Sequence, residues 1–184
     1  MNPEPRPKGV PECGRKRLEV GAKVTPVMAI RNPTELKEIL RPGARLMGLD
    51  VGTKTIGLAI SDASLTVATP LETIHRRTLS EDAAALKRIV DARNVGALVL
   101  GLPVEMSGRE GPRCQSVRQF AANLLGKFDI DIAFWDERLS TSAVERDMIE
   151  ADLSRKKRAS VVDKVAAAYI LQGVLERIRR PAPA

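Results

Sequence analysis

The sequence predicts an α/β fold built on a mixed sheet, and three observations carry that prediction. From Leu46 onward, three apolar runs follow one another with only short turns between them. After residue 80, amphipathic helical stretches alternate with short buried runs, the pattern of helices laid on a sheet. Hydrophobic residues make up 43% of the 184, yet there are only one Trp, one Tyr and three Phe. A core of this size must therefore be made by Leu, Ile, Val and Ala.

Residues 1–27 carry Pro3, Pro5, Pro7, Pro11 and Pro26 among Lys and Arg, a composition that buries little and predicts a disordered basic extension. Residues 28–43 read as a short helix and linker, with Thr34 as cap ahead of Glu35–Leu40 and Pro42-Gly43 as stop. Residues 44–180 read as the folded domain. Leu46–Val51 and Thr55–Ser61 form a hairpin around Gly52-Thr53-Lys54, and Thr66–Ile74, broken by Pro70, suits an edge strand. A helix over Glu81–Arg93 turns Leu86, Ile89 and Val90 inward, and a buried strand follows at Ala97–Leu100, ending in Gly101-Leu102-Pro103. Residues 113–127 make a second helix, and Asp131–Trp135 a fifth strand. Ser142 and Glu145 have capping-box spacing for a helix from about Ala143 to Ala151. After the polar stretch 152–158, a last helix runs from about Ser160 to Ile178. The order is β-β-β-α-β-α-β-α-α, a five-stranded mixed sheet with helices on its faces.

Charge and cysteine content narrow the function. The net charge is +7, and residues 1–45 hold ten Lys/Arg against five Asp/Glu, while the rest is nearly balanced at twenty against eighteen. That balance suits a polyanionic partner, but the scarcity of aromatics argues against base stacking as the main binding mode. Cys13 and Cys114 have no metal-type spacing, so zinc is not expected, and free thiols point to a reducing compartment. No apolar stretch is long enough to span a bilayer, so the expected location is cytoplasmic. With His75 alone in a loop, no Ser-His-Asp or Cys-His arrangement is available.

Three acids carry the chemistry instead. Asp50 lies in the otherwise apolar strand Leu46–Gly52, where an ionised carboxylate is costly unless it meets a cation or hydrogen-bond donors. Gly48 and Gly52 clear space for a close-approaching backbone or phosphate. The run from Gly48 to Thr55 is not a P-loop, because Thr53 separates the glycine from Lys54 and strand-forming residues follow. Asp136 and Glu137 end the fifth strand. Strand alternation turns one toward Asp50 and leaves the other exposed or paired with Arg138; reach favours Glu137, but alternation alone does not choose. Asp163 sits in the predicted first turn of the last helix, where, taken alone, a Ser160 cap and the helix dipole are the better account; taken with Asp50 and Glu137 it becomes a third ligand. Converging carboxylates are the donor set for Mg²⁺ or Mn²⁺. Lys54, Arg109, Arg138 and the cluster Arg155-Lys156-Lys157-Arg158 are candidates for holding phosphates.

Four motifs in order, Leu49–Lys54, Gly101-Leu102-Pro103 with Gly108, Asp136–Thr141, and Asp163 with its Ala-rich helix, resemble the YqgF family over about residues 44–178. Members of that family resemble Holliday-junction resolvases and are regarded as nucleases of precursor 16S ribosomal RNA. The resemblance implies a ribonuclease H-like fold and metal-dependent cleavage in maturation of the 5′ end of that RNA. It carries the family's acids onto Asp50, Asp136/Glu137 and Asp163. One departure stands out: ribonuclease H and true resolvases place an acid on the strand after the first helix, and here that strand reads Leu98–Pro103, with Glu105 only beyond it.

The expected function is therefore a Mg²⁺- or Mn²⁺-dependent nuclease of structured RNA, acting on precursor rRNA or pre-ribosomal particles, as a monomer or homodimer. Three alternatives accompany it. A DNA-junction resolvase uses the same chemistry on branched DNA, and a ribosome-assembly factor binds RNA without cleaving it. The Asp50–Thr55 hairpin also resembles the phosphate turn of actin-like phosphotransferases, although 184 residues leave little space for their second domain.

Overall fold

The computed structural model describes residues 29–139 and 155–180, with side chains placed for all of these except 139 and 155–161. The expected extension over 1–27, the helix over 143–151 and its Ser142–Glu145 box lie outside the described residues.

Six strands form one sheet. In chain order they are β1 (Ile30–Arg31), β2 (Arg45–Val51), β3 (Thr55–Ser61), β4 (Ala68–His75), β5 (Val95–Leu102) and β6 (Asp131–Asp136). Their spatial order is β1-β6-β5-β2-β3-β4. Strands β2, β3 and β4 form the antiparallel meander, while β5 and β6 run parallel to β2. This is the mixed arrangement expected of a ribonuclease H-like sheet, and Pro70 lies on the edge strand β4 as anticipated.

The strand count is six rather than five, and the reason is local. Ahead of the short helix, Ile30 and Arg31 pair in parallel with Ile132 and Ala133. The Arg31 Nε donates to Asp131 Oδ1 at 2.9 Å, which pins the added strand by charge as well as by ladder bonds. A two-residue strand has no period for a sequence to display. The helix that follows begins as a 3₁₀ turn, Pro33–Glu35, and continues as α1, Leu36–Ile39. Its cap is Asn32, not Thr34: the Asn32 side chain accepts from Thr34 N at 3.1 Å, and Glu35 accepts from Asn32 N at 3.3 Å. Pro33 at the first helical position explains the shift, since Pro is pre-shaped for that place.

Helices α2 (Leu79–Ala92) and α3 (Pro112–Leu125) cover one face of the sheet. Leu86, Val117, Phe120 and Leu124 meet Met47, Leu49, Ile56, Leu58, Leu98 and Leu100 there. Thr78 caps α2 in a capping box with Glu81, so the helix starts two residues before the predicted Glu81. The last helix, α4 (Arg155–Arg179), covers the other face. Its Ala167, Ile170, Leu171 and Val174 pack on Leu46, Ala59, Ala97, Val99, Ala133 and Trp135, together with Leu36 of α1. Helix α4 starts about one and a half turns earlier than the predicted Ser160, so the backbone of the 155–158 cluster is helical rather than looped.

Candidate active site

Alternation along β2 sends Met47, Leu49 and Val51 into the α2–α3 core, and Leu46 into the α4 core. Asp50, two residues on from Gly48 and four from Leu46, therefore faces α4. Its ladder partner on β3 is Gly57, and residues directly opposite share a face. A Cβ at Gly57 would overlap the backbone carbonyl of Asp163, so α4 lies directly on β3 at that point. Asp163 is thus set down beside Asp50 by a glycine that leaves no gap.

On the other flank, Leu49 pairs with Leu100, which brings Gly101 of β5 alongside Asp50. A Cβ at Gly101 would lie 2.6 Å from Glu137 Oε1 and would also overlap the tip of Ile170 from α4. The Glu137 carboxylate therefore covers Gly101 on the α4 face. Counting strands, Asp163 over Gly57 and Glu137 over Gly101 flank Asp50 across about 10 Å, two interstrand spacings.

Asp136 goes elsewhere. Its carboxylate accepts two bonds from Arg138 Nε at 3.1 Å each and one from Nη2 at 2.6 Å. This paired guanidinium holds the Asp136 carboxyl below its ordinary value. The two neighbours thus differ in surroundings, with the Glu137 carboxylate over Gly101 and Asp136 in the pair with Arg138. Arg138 also donates from Nη1 to the Glu105 carbonyl at 3.4 Å, tying the loop after β5 to the end of β6. That loop is closed on itself by Gly108 N to Glu105 O at 2.8 Å and Glu105 N to Arg109 O at 3.1 Å. Glu105 accepts from Ser107 and lies against Gly111.

The dipole account of Asp163 does not hold, because the residue lies in the third turn of α4 and Ser160 is inside the helix rather than capping it. Asp50, Glu137 and Asp163 are all partly exposed, and Lys54 and Arg109 are fully on the surface. The side chains of Arg155, Lys156, Lys157 and Arg158 lie outside the described residues. Among the described residues, no three His, Cys, Asp or Glu side chains are drawn together tightly enough to enclose an ion. The donor type itself, carboxylate oxygen, suits a hard divalent cation.

Two residues that place this site escaped the sequence reading. Gly57 was visible only as a glycine inside an apolar strand, which is the usual mark of close backbone approach. Trp135 lies with its indole against Gly173 of α4, where a Cβ would come within 2.8 Å of Nε1. It is the single Trp of the chain, one strand position before the Asp136-Glu137 pair.

Among the described residues no helix is long and apolar enough to cross a membrane. A family model described as "RuvX: Holliday junction resolvase" matches residues 44–177. A relative from Paramagnetospirillum magneticum, named "Putative pre-16S rRNA nuclease", is 63% identical over 149 residues, covering 81% of this chain and 96% of its own. A relative of the same name from Roseobacter denitrificans is 64% identical over 137 residues, covering 73% of this chain and 83% of its own. Among solved structures, Thermus thermophilus RuvC in complex with a Holliday junction substrate superposes with a TM-score of 0.49 at 13% identity, over 74% of this chain and 96% of that one. A likeness that loose carries no weight beside the family match.

Proposed function

This chain belongs to the RuvX family of Holliday junction resolvases, and from that membership we propose that it is a cytoplasmic nuclease hydrolysing phosphodiester bonds at the 5′ end of precursor 16S rRNA. What most supports a hydrolytic site is the crossing of α4 over β3, where Asp163 lies on Gly57 next to Asp50 while Glu137 covers Gly101. The names of the close relatives support RNA as substrate, and the family description supports branched DNA as the alternative.

In this proposal Asp50, Glu137 and Asp163 would hold Mg²⁺ or Mn²⁺. When bound, such an ion supplies the Lewis acidity that makes water nucleophilic at neutral pH and offsets charge on the leaving oxygen. The protein's own groups orient and admit the substrate. Gly52, at the end of β2, adds no side chain beside Asp50 that would hinder an approaching sugar-phosphate backbone. Lys54, Arg109, Arg138 and the 155–158 cluster offset phosphate charge around it. Arg138 does this while restraining Asp136, which keeps the second carboxylate of the pair out of the central group.

Purified protein incubated with precursor 16S rRNA and with a four-way DNA junction, with and without Mn²⁺, separates the two substrates. Asp50→Asn is expected to abolish cleavage and leave RNA binding in place. Cleavage by that variant at the wild-type rate, free of contaminating nuclease, overturns the assignment. Ion binding has its own readout, because Mn²⁺ is paramagnetic and Trp135 is the chain's single indole. Saturable quenching of its fluorescence is expected in the wild type and should weaken at least tenfold in midpoint for Asp50→Asn, roughly the cost of losing one charged ligand.

A further inference from the structure

Arg76, directly after β4, belongs to no motif in the sequence and lies outside the group of acids. Its backbone N donates to the Lys54 carbonyl at 2.9 Å, and its Nη1 donates to the Gly52 carbonyl at 2.8 Å. One residue therefore grips both ends of the three-residue turn between β2 and β3. The same guanidinium is anchored on its far side. Its Nε points to Asp82 Oδ2 at 3.5 Å, and its carbon stands 5.1 Å from the centroid of the Phe120 ring. Asp82 is itself fixed: its side chain is 2% exposed, it lies in the first turn of α2, and its other oxygen accepts from Arg77 N at 3.0 Å.

We propose that Arg76 is a positioning residue, which holds the β2–β3 turn rigid so that Lys54 meets a substrate phosphate already in place. The physical reason is the fork. A planar guanidinium can reach a carbonyl, a carboxylate and a ring face at once, whereas an ammonium offers a single point. A hairpin turn of Gly52, Thr53 and Lys54 has few restraints of its own beyond the Gly52 N to Thr55 O bond at 2.9 Å. Ordering it before binding removes an entropic cost that the substrate contact would otherwise bear. The proposal deepens the nuclease reading and rests on Lys54 touching the nucleic acid.

The test is a double-mutant cycle between Arg76→Lys and Lys54→Ala. Its readout is the equilibrium binding of precursor 16S rRNA, by anisotropy, in the Asp50→Asn background. Kinetic constants for cleavage are measured in parallel in the otherwise wild-type protein. Arg76→Lys is expected to weaken binding and raise KM roughly tenfold while kcat stays within about twofold, and the loss should largely vanish once Lys54 is Ala. Phe120→Leu, which keeps an apolar side chain but removes the ring, should give the same pattern at smaller size and covers the case in which Arg76→Lys folds poorly. Additive losses from Arg76→Lys and Lys54→Ala, or a fall in kcat at unchanged KM, overturn the positioning role. Because the cycle is read in binding, with divalent ions left out so that the RNA stays intact, it gives its answer even if the nuclease assignment itself fails.

Discussion

At the scale of single residues, two glycines determine where the acids sit, and they differ in what they touch. Gly57 faces backbone, the Asp163 carbonyl, which cannot swing away. Gly57→Ala is therefore expected to cost about 1–3 kcal/mol of stability, the usual range for overpacking, together with activity. Gly101 faces side-chain ends, those of Glu137 and of the buried Ile170, rather than backbone. Gly101→Ala should lower the melting temperature less than Gly57→Ala, yet displace the Glu137 carboxylate and reduce cleavage. A thermal melt set beside a cleavage assay distinguishes the two, and equal stability losses would contradict this reading. Asp136 gives a pH prediction. Its carboxyl is held below the ordinary 3.8 chiefly by the Arg138 hydrogen bonds, so the pair contributes above about pH 4 and is lost as pH falls through the lowered value. In an NMR titration, Arg138→Ala should bring the Asp136 midpoint back up toward the ordinary value; an unmoved midpoint would remove Arg138 as the cause.

At the scale of elements, caps and crossings decide what a sequence reveals. Thr78 and Glu81 form a reciprocal cap on α2, and Thr78→Ala is expected to destabilise the protein by about 1 kcal/mol in a denaturant melt. The meander, both flanking helices and the β5 and β6 strands were legible because each carries its own apolar period. The pairing of Ile30 with Ile132 was not, since two residues cannot show a period and the contact joins distant parts of the chain. The start of α4 was misplaced because Arg155–Arg158 reads as solvated loop in isolation, although Lys and Arg are good helix formers. The acids were legible as types and as ends of elements. Which of Asp136 and Glu137 turned inward was not, because Glu137 lies in a 3₁₀ turn just past the strand, where two-residue alternation no longer applies. Nor could the sequence reveal Arg76, whose role depends on Gly52, Asp82 and Phe120 meeting in space.

At the scale of the whole molecule, the segment 29–43 is part of the fold, although the family match begins only at residue 44. Leu36 has no exposed surface and closes the α4 side of the core. Leu36→Ala should cost about 2–5 kcal/mol by leaving a cavity, measurable by denaturant unfolding, whereas a loss below about 1 kcal/mol would make the segment dispensable. That same ladder between β1 and β6 dictates an order of events during translation. Strand β1 leaves the ribosome about a hundred positions before its partner strand exists, and Asp163 follows later still. On the proposed assignment, a nascent chain halted before α4 lacks Asp163 and should be harmless to the very transcript class it is proposed to trim. Stalled chains of graded length, assayed on the ribosome for cleavage, should stay silent until α4 has fully emerged.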